Sequence, residues 1–424
     1  MLIIKDKTEL QRFIKRLRKS STSEPVIEEN VKKILNEVRK AGDKALIKYT
    51  KLFDRHSLPL KIDTEEIKEK AKEVSKEVLD ALKFASQRIR KFHKRQLESS
   101  WQYKEGDITL GQIIRPLHRI GAYVPGGKAS YPSTVLMNII PAQVAGVTEI
   151  AVCVPTPQGE INPTVCAALE LLDIKEVYRI GGAQAIGALA YGTETITKVD
   201  KIVGPGNIYV ATAKKLVFGE VDIDMIAGPS EIMIVADISA NPAFIASDML
   251  SQAEHDEMAS SILVTTSEKL AFEVKKEISK QLKTLPKAEI AKKSLKNFGA
   301  ILLVKSLEEA TEVVNEIAPE HLEIMTEHPD ELLPMIKNAG AIFLGQWNTE
   351  PIGDYVAGPN HTLPTGGTAR FFSPLGVYDF IKRSSIIKIG KNGFKKFAPY
   401  VEILATLEGL QAHANTVKIR KTTL

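Results

Sequence analysis

Apolar residues in the first hundred positions recur at helical spacing. Residues 5–18 and roughly 24–53 place apolar positions three or four residues apart, which predicts amphipathic helices. A longer helix is predicted from Thr64 to about Ser100, because Thr64 followed by acidic residues is a typical helix start. The period changes over residues 107–124, where short apolar runs separated by turn residues predict strands.

The rest of the chain alternates between strand-like and helix-like segments. A first run extends from STVLMNIIPAQVAG to NIYVATAKKLVFG, and a second opens with EIMIVAD at residues 231–237 and ends with AGAIFLG. Strands and helices that alternate at this spacing form βαβ units with a parallel sheet. We therefore predict an α/β fold with two modules that meet near residues 226–231. A loop rich in Gly, Pro and Thr follows at 350–376, and then a short tail.

Composition is that of a soluble globular protein. The chain has 424 residues, of which 44% are hydrophobic and 26% charged, with a net charge of +5, and this length fits two or three domains. Basic residues alternate with apolar ones in stretches such as KFASQRIRKFHKRQ, so a solvated helix face explains them better than nucleic-acid binding. The charged N-terminus is not a signal peptide, and no apolar run approaches the ~20 residues of a membrane span. We expect a cytoplasmic protein that binds neither nucleic acid nor membrane.

Two cysteines are present. Cys153 lies in a strand pattern and Cys166 in a helix pattern, both among apolar residues. Free cysteine is one of the most often buried residue types. Buried thiols are therefore the preferred interpretation, ahead of a disulfide, a metal pair or a nucleophile.

Glycine-rich segments offer one candidate nucleotide site. The segment GAYVPGGKAS at 121–130 is not a P-loop, because Ala122 stands where the first glycine is required and Ala129 replaces the Ser or Thr. The segment VGPGNIYVAT at 203–212 places Gly204 and Gly206 between a strand and a helix, where a ligand can approach the backbone and a helix N-terminus attracts anions. Nucleotide binding and a tight βα turn both explain this segment.

Polar pairs that suit a metal lie in the last two fifths of the chain. Gln252 and His255 are three positions apart, so a helix would place both on one face. Glu408 and His413 are five positions apart, which fits neither a helix face nor a strand face and requires a bend or a cap. Each pair taken alone is explained at least as well by a structural role.

A third polar pair lies in a long loop. Asp354 and His361 belong to IGDYVAGPNHTLPTGG, and polar glycine-rich loops of this length are often functional. Together with the two pairs above, these residues supply nitrogen and oxygen ligands that suit zinc.

Adjacent acid/base groups occur in IAPEHLEI at 317–324. Glu320 and His321 follow Pro319 and precede the strand-like HLEIMT. Neighbouring side chains of an extended chain point to opposite faces, so the segment alone favours a polar turn. If the pair is functional, we predict that it lies at a strand entrance, where a turn aims both side chains at one point.

These residues lie in motifs that resemble histidinol dehydrogenases along the whole chain. The densest match is VGPGNIYVATAKKLVFGEVDIDMIAGPSEIMIVAD at 203–237, and further matches are GAYVPGG, IGGAQAIGALAYGT, LSQAEHD, APEHLEI and GDYVAGPNHTLPTGGTARF. Several motifs in the same order make the resemblance specific. It implies an α/β fold of two incomplete Rossmann-like domains with parallel-type sheets, plus small N-terminal helical and C-terminal segments. The predicted domains are an N-terminal segment at 1–20, a first Rossmann-like domain at 21–122 and 231–376, a second at 123–230, and a C-terminal segment at 377–424.

The resemblance also implies an activity. It is the oxidation of L-histidinol through L-histidinal to L-histidine, the last two steps of histidine biosynthesis, with two NAD+ consumed. His321 is expected to act as the base, and Glu320 to activate water, with its pKa raised by partial burial. One Zn2+ per subunit is expected to anchor the substrate, with the ligands Gln252, His255, Asp354 and His413.

Further site residues and a partner are implied in the same way. A homodimer is expected, in which the C-terminal segment of each chain completes the site of the other. Tyr123, Gln184 and Asn207 are expected to contact NAD. Substrate contacts are expected from Ser230, Gln252, His255, His321, Asp354, Glu408 and His413.

Three other functions fit part of the same pattern. A related zinc- and NAD-dependent dehydrogenase of another polar alcohol would share most of these residues. A zinc hydrolase would use Glu320 to activate water without a nicotinamide. A non-catalytic binding protein of two α/β lobes would bind a small molecule without turnover.

Overall fold

A computed structural model of the chain describes residues 1–20, 25–126 and 131–424. The end of the GAYVPGGKAS segment lies outside these residues. Fourteen strands are formed by the described residues: β1 Leu2–Ile4, β2 Trp101–Glu105, β3 Ile108–Pro116, β4 Arg119–Tyr123, β5 Glu149–Cys153, β6 Glu176–Tyr178, β7 Lys201–Val203, β8 Asp222–Ile223, β9 Glu231–Ala236, β10 Ser260–Thr265, β11 Gly299–Leu303, β12 His321–Met325, β13 Ala341–Leu344 and β14 Ile381–Ile389.

Helices alternate with these strands, and a π-helical turn at Gly353–Ala357 follows the fifteenth of them. None of the helices in the described part of the chain is long and apolar enough to cross a membrane. The helices are α1 Lys7–Ser20, α2 Pro25–Ala41, α3 Asp43–Phe53, α4 Thr64–Ala71, α5 Lys76–His93, α6 Pro132–Ala145, α7 Pro163–Leu171, α8 Gly182–Tyr191, α9 Ile208–Val217, α10 Pro242–Ala253, α11 Glu268–Gln281, α12 Ala288–Phe298, α13 Leu307–Ile317, α14 Pro329–Leu332, α15 Glu350–Ile352, α16 Lys391–Leu407 and α17 Gln411–Lys421.

Two parallel sheets form the centre of the first of two compact units, which comprises Met1–Gln96 and Leu117–Phe380. The six-stranded sheet has the order β1-β11-β10-β9-β12-β13, and the five-stranded sheet has the order β6-β5-β4-β7-β8. Their central strands are almost wholly buried, as expected for parallel strands covered on both faces. The α/β fold with parallel-type sheets is therefore confirmed.

Both sheets reverse their strand order at one point. In the five-stranded sheet β4 pairs with β5 on one side and β7 on the other, and in the six-stranded sheet β9 pairs with β10 and β12. Such a switch point leaves a crevice beyond the carboxyl ends of the two strands, where open α/β sheets bind ligands. The candidate residues can therefore be located relative to these two crevices.

The N-terminal helices divide between the two sheets. Strand β1 pairs with β11 at the edge of the six-stranded sheet. The apolar face of α2, with Val31, Leu35 and Val38, instead packs into the core cluster of the five-stranded sheet, and α4 and α5 contact α7 and α6. The predicted grouping of 21–122 with 231–376 therefore differs from the packing of these helices. The helical period of a sequence predicts which face of a helix is apolar, but not which sheet that face packs against. The predicted domain boundaries themselves stay a prediction.

Two predicted helices are each divided into two. Gly42 ends α2 with a φ of 51°, in the left-handed region that glycine adopts readily. Ser75 begins a new helix, because its side chain accepts a hydrogen bond from the main-chain N–H of Val78. A capping serine within an otherwise helical pattern was the signal for this break.

The second compact unit comprises Leu97–Pro116 and Ile381–Leu424. It contains a three-stranded antiparallel sheet of order β14-β3-β2, and α16 and α17 pack against each other. Strand β2 lies between the helix predicted to end at about Ser100 and the strands predicted from residue 107, and all five of its residues are exposed. Only Trp101 and Tyr103 alternate with polar residues, and two positions are too few to predict a strand.

Candidate active site

Glu320 and His321 lie at the amino ends of the central strands of the six-stranded sheet. His321 is the first residue of β12 and pairs in register with Ile232, the second residue of β9. Glu320 therefore lies beside Glu231, and Ser230 directly precedes β9 at the same edge. The predicted position at a strand entrance is confirmed.

Reciprocal hydrogen bonds hold Glu320 in place. Its Oε2 accepts from the main-chain N–H of Glu231 at 2.8 Å, and the Glu231 carboxyl group accepts from the main-chain N–H groups of Glu320 and Gly366. Both side chains lie in the protein interior, and burial raises the pKa of Glu320 to about 8 and that of Glu231 to about 7. The predicted direction of the Glu320 shift is therefore confirmed.

His321 is buried among polar groups from three segments. Its Nδ1 lies 3.1 Å from the main-chain oxygen of Glu231, which can only accept, so Nδ1 carries a hydrogen. Its Nε2 lies 3.3 Å from Oδ1 of Asp354. The Gln252 amide nitrogen lies 3.4 Å from Nδ1, a packing contact and not a hydrogen bond, because both nitrogens carry hydrogens. The strand, the end of α10 and the π-helical turn thus orient one imidazole.

Carboxylates determine the charge of this imidazole. Burial opposes protonation, but Glu320, Glu350 and Asp354 together raise the pKa of His321 well above 6.5. The sequence-based assignment of His321 as a base relied on an unperturbed imidazole, and the surrounding carboxylates correct that. His321 loses its proton only at a pH above the ordinary histidine range, or when a bound group offsets the carboxylates.

Donor groups suited to a metal converge at the same place. One ligand atom each from His321, Glu350 and Asp354 lies within 4.8 Å of the others. Oε1 of Gln252 is fully buried and, among the described residues, has no hydrogen-bond partner. His255 lies two residues beyond the end of α10, where its main-chain N–H donates to the carbonyl of Gln252. A buried carbonyl oxygen without a donor beside a carboxylate fits a cation.

Asp354 is oriented by the loop that follows it. Burial opposes its ionisation, but the hydrogen bond from His321 and the nearby His361 and His255 hold the pKa of Asp354 below its usual value. The His361 ring hydrogen-bonds to the main chain of Asp354. Asn360 donates to the carbonyl of Met137 at 2.6 Å, which fixes the loop to α6. His361 therefore contacts the main chain of the turn that carries Asp354.

Sequence reasoning missed two further buried acids, Asp248 and Glu323, which lie next to Glu350. Asp248 hydrogen-bonds to Glu323, whose Oε1 accepts from the main-chain N–H of Glu350 at 3.0 Å. Burial raises the pKa of Asp248 to about 6 and that of Glu323 above its usual value. The signals were present: Asp248 is four residues before Gln252 on α10, and Glu323 is two after His321 on β12, so each shares a face with a predicted site residue.

Glu408 and His413 belong to the second compact unit. Glu408 follows the last residue of α16, and Gly409, with a φ of 72°, turns the chain into α17, which carries His413. The bend required by the spacing of five is therefore present. The cluster around His321 is formed by the first unit without these two residues.

The predicted NAD contacts lie at the carboxyl ends of strands of the five-stranded sheet, whereas Glu320 and His321 lie at the amino ends of strands of the six-stranded sheet. Tyr123 is the last residue of β4, and its hydroxyl accepts from the main-chain N–H of Gly182 at 3.1 Å, where α8 begins. Gln184, in the first turn of α8, is buried, and its Oε1 has no partner in the described part of the chain. Tyr123 and Gln184 thus meet beyond the carboxyl ends of the five-stranded sheet.

Asn207 begins α9 beyond the carboxyl end of β7. Its Oδ1 accepts from the main-chain N–H groups of Tyr209 and Val210 at 3.0 and 3.2 Å, so it is the helix N-cap. Asn207 is itself exposed. The tight βα turn predicted at VGPGN is therefore present, beside the switch point between β4 and β7. Both cysteines are free and buried, as predicted.

Comparisons with known proteins agree with this architecture. A histidinol dehydrogenase family model matches residues 17–421. Histidinol dehydrogenase of Aquifex aeolicus is 59% identical over 93% of this chain and 92% of its own, and that of Syntrophotalea carbinolica is 55% identical over the same shares. The crystal structure of histidinol dehydrogenase from Elizabethkingia anophelis has a TM-score of 0.93 and 38% identity, covering 99% of this chain and 97% of its own. The chain therefore belongs to the histidinol dehydrogenase family.

Proposed function

We propose that the chain is an NAD-dependent enzyme that oxidises L-histidinol through L-histidinal to L-histidine. The observation that carries this proposal is the buried imidazole of His321, held between Glu320 and Asp354 at a strand entrance in a chain of this family. The other functions considered for the sequence share parts of this site, and the family of the chain favours histidinol over them.

Zinc fits the donor set at the amino edge of the six-stranded sheet. Gln252, His255 and Asp354 would hold it, with His413 of the partner subunit as the fourth ligand. The support is the unpartnered Gln252 oxygen and the convergence of carboxylate and imidazole groups beside it. Zn2+ has no redox chemistry, and when bound it would anchor the imidazole and amino groups of the substrate.

Proton transfers are assigned to His321 and Glu320. In the first oxidation His321, in its neutral form, takes the hydroxyl proton as hydride leaves the carbinol carbon. His321 is then an imidazolium, and its Nδ1 lies 3.7 Å from Oε2 of Glu320. The positive charge of His321 lowers the pKa of Glu320, which favours the carboxylate that must activate water in the second step.

The second oxidation follows at the same carbon. Glu320 removes a proton from water as the water adds to the aldehyde. Once His321 has released its first proton to solvent, the hydrate would lose a hydride to NAD+ and a proton to His321, which gives the carboxylic acid. The buried hydrogen bond from Glu231 to Oε2 of Glu320 keeps one oxygen fixed and leaves the other oxygen to take the proton from water. Cys153 is buried and takes no part in this chemistry, because oxidation through a hydrate requires no thiohemiacetal.

NAD is proposed to bind at the carboxyl edge of the five-stranded sheet. Tyr123, Gln184 and Asn207 lie there, beside the switch point at which such sheets bind dinucleotides. The unpartnered buried oxygen of Gln184 and the exposed residue Asn207 fit a polar ligand. NAD+ when bound would accept one hydride in each oxidation.

A homodimer would complete the substrate site. Ser230 lies beside Glu231 in the site of the chain itself, and Glu408 of the partner subunit would complete the substrate contacts. The helices that carry the C-terminal residues expose large apolar side chains, among them Tyr400, Leu407 and Ile419, at 66%, 81% and 67%. Apolar groups in such number on one unit are typical of an interface.

The number of NADH molecules formed per histidinol tests the proposed reaction. Complete conversion of a limiting amount of L-histidinol with excess NAD+ is followed by absorbance, and two NADH per histidinol are expected. One NADH per histidinol would instead indicate a dehydrogenase that stops at the aldehyde. No NADH would contradict the proposal.

A further inference from the structure

A buried ion pair lies under the turn that follows β7. Lys214 on α9 and Asp224 after β8 form it, with side chains only 3% and 1% exposed. Neither residue belongs to the proposed chemistry. Burying two charges costs free energy that their attraction often fails to recover, so such a pair is weak evidence for stability alone.

Both charged groups also bind the main chain of Gly204. The Lys214 Nζ donates to the carbonyl oxygen of Gly204 at 2.9 Å, and the main-chain N–H of Gly204 donates to Oδ2 of Asp224 at 2.8 Å. Oδ1 of Asp224 accepts from the main-chain N–H of Met225 at 2.6 Å. The pair thus fixes both polar groups of one residue in the turn between β7 and α9.

No residue other than glycine fits at position 204. Its φ is 111°, in the region that glycine favours, and an added Cβ would overlap the carbonyl oxygen of Tyr123 at the end of β4. The turn therefore packs closely against the end of β4. Hydrogen bonds from Lys214 and to Asp224 hold it on its other side. Asn207, three residues later, takes its position from this turn.

We infer that Lys214 and Asp224 are positioning residues for NAD, which hold the Gly204 turn so that Asn207 and the start of α9 face the dinucleotide. The inference rests on the proposed NAD site at the carboxyl edge of the five-stranded sheet. It differs from a purely stabilising role, because the hydrogen bonds of the pair to Gly204 are then needed for binding and not only for folding.

A double variant separates the two roles. Lys214→Met alone leaves Asp224 buried and unpaired, which destabilises the fold, whereas Lys214→Met with Asp224→Leu removes both charges and so avoids the unpaired one. The double variant still lacks the partners of Gly204. We expect its dissociation constant for NAD+, measured by calorimetry with NAD+ alone, to rise on the order of tenfold to a hundredfold, with zinc content unchanged and with KM for NAD+ raised more than kcat is lowered.

A matched control lies at the other edge of the same sheet. Arg119, at the amino end of β4, is also buried and pairs with Glu176, which is partly exposed, and with Glu149. Arg119→Met with Glu176→Leu removes a buried cation and one of its two partners from the same sheet without touching the Gly204 turn. This control is expected to bind NAD+ with the affinity of the unmodified chain.

A third variant keeps the test valid if the double variant does not fold. Lys214→Arg retains the charge and the pairing with Asp224 but displaces the donor to the Gly204 carbonyl, and a weaker NAD+ affinity is expected again. Unchanged NAD+ affinity in the folded variants, or an equal loss in the Arg119 control, would overturn the positioning role. Histidinol turnover by the unmodified chain is measured separately, so a failure of the proposed reaction is distinguished from a failure of this inference.

Discussion

The two parallel sheets share their central strand order but carry candidate chemistry at opposite ends. At the five-stranded sheet the proposed NAD contacts lie beyond the carboxyl ends, beside the crevice where such sheets bind ligands. At the six-stranded sheet Glu320 and His321 lie at the amino ends of β12 and its neighbour β9.

Side chains at the carboxyl edge of the six-stranded sheet explain part of this difference. Asp237 follows β9, and its Oδ2 accepts from the main-chain N–H of Glu327, which lies beyond the end of β12, at 3.0 Å. Its Oδ1 accepts from Ser239 at 2.9 Å. Donors that would bind a ligand in this crevice are thus occupied by the protein. Strand order alone therefore indicates where a site can form, and the residues at the strand ends decide whether it does.

The largest effect is expected from the residue proposed to come from the partner. His413→Asn should lose bound zinc and nearly all turnover, since it removes an imidazole nitrogen that zinc binds well, while NAD+ affinity stays unchanged. Zinc content by metal analysis and NADH formation check this. Mixed dimers of His413→Asn and His255→Asn chains should recover roughly one working site per dimer. Absence of recovery would place the whole site within one chain.

Glu320→Gln should slow the second oxidation more than the first. Glutamine keeps an acceptor for the main-chain N–H of Glu231 but cannot take a proton from water, so histidinal oxidation should fall on the order of a hundredfold. Histidinol oxidation should fall less. The two half-reactions are measured separately with each substrate, and equal losses would remove the water-activating role.

Tyr123→Phe acts only on the carboxyl edge. It removes the acceptor of the Gly182 N–H, and loss of one hydrogen bond should raise KM for NAD+ by about threefold to tenfold while kcat changes little. Tyr178→Phe is a suitable control, since that hydroxyl lies 3.2 Å from Glu176. An effect on zinc content would contradict the separation of the two edges.

Glu350→Gln should shift the pH dependence. Glu350 is one of the carboxylates that raise the pKa of His321, and His321 acts as a base only after losing its proton. Removing that charge lowers the pKa of His321, so the acid limb of the kcat/KM profile should move to lower pH. Glu331→Gln, which alters an exposed carboxylate, should leave the profile in place. A shift of the Glu350→Gln profile to higher pH would contradict the account.

Local pattern predicted the two α/β runs and the strand entrance of Glu320 and His321, because both depend on residues adjacent in sequence. It did not predict the partners of α2, which packs on the five-stranded sheet. It also did not predict Glu350 as a neighbour of His321. The two lie on different elements, β12 and α15, and only the fold brings them together. The raised pKa of His321 follows from that same convergence and cannot be read from spacing.

The NAD+ affinity of a His321→Asn variant tests the separation of the two edges most directly. Asparagine cannot accept the substrate proton, so NADH formation should fall on the order of a hundredfold to ten-thousandfold. Calorimetric titration of NAD+ into this variant should give the dissociation constant of the unmodified chain, as it should for His328→Asn at the other end of β12. Weakened NAD+ binding by His321→Asn alone would contradict the assignment of chemistry and cofactor binding to different edges.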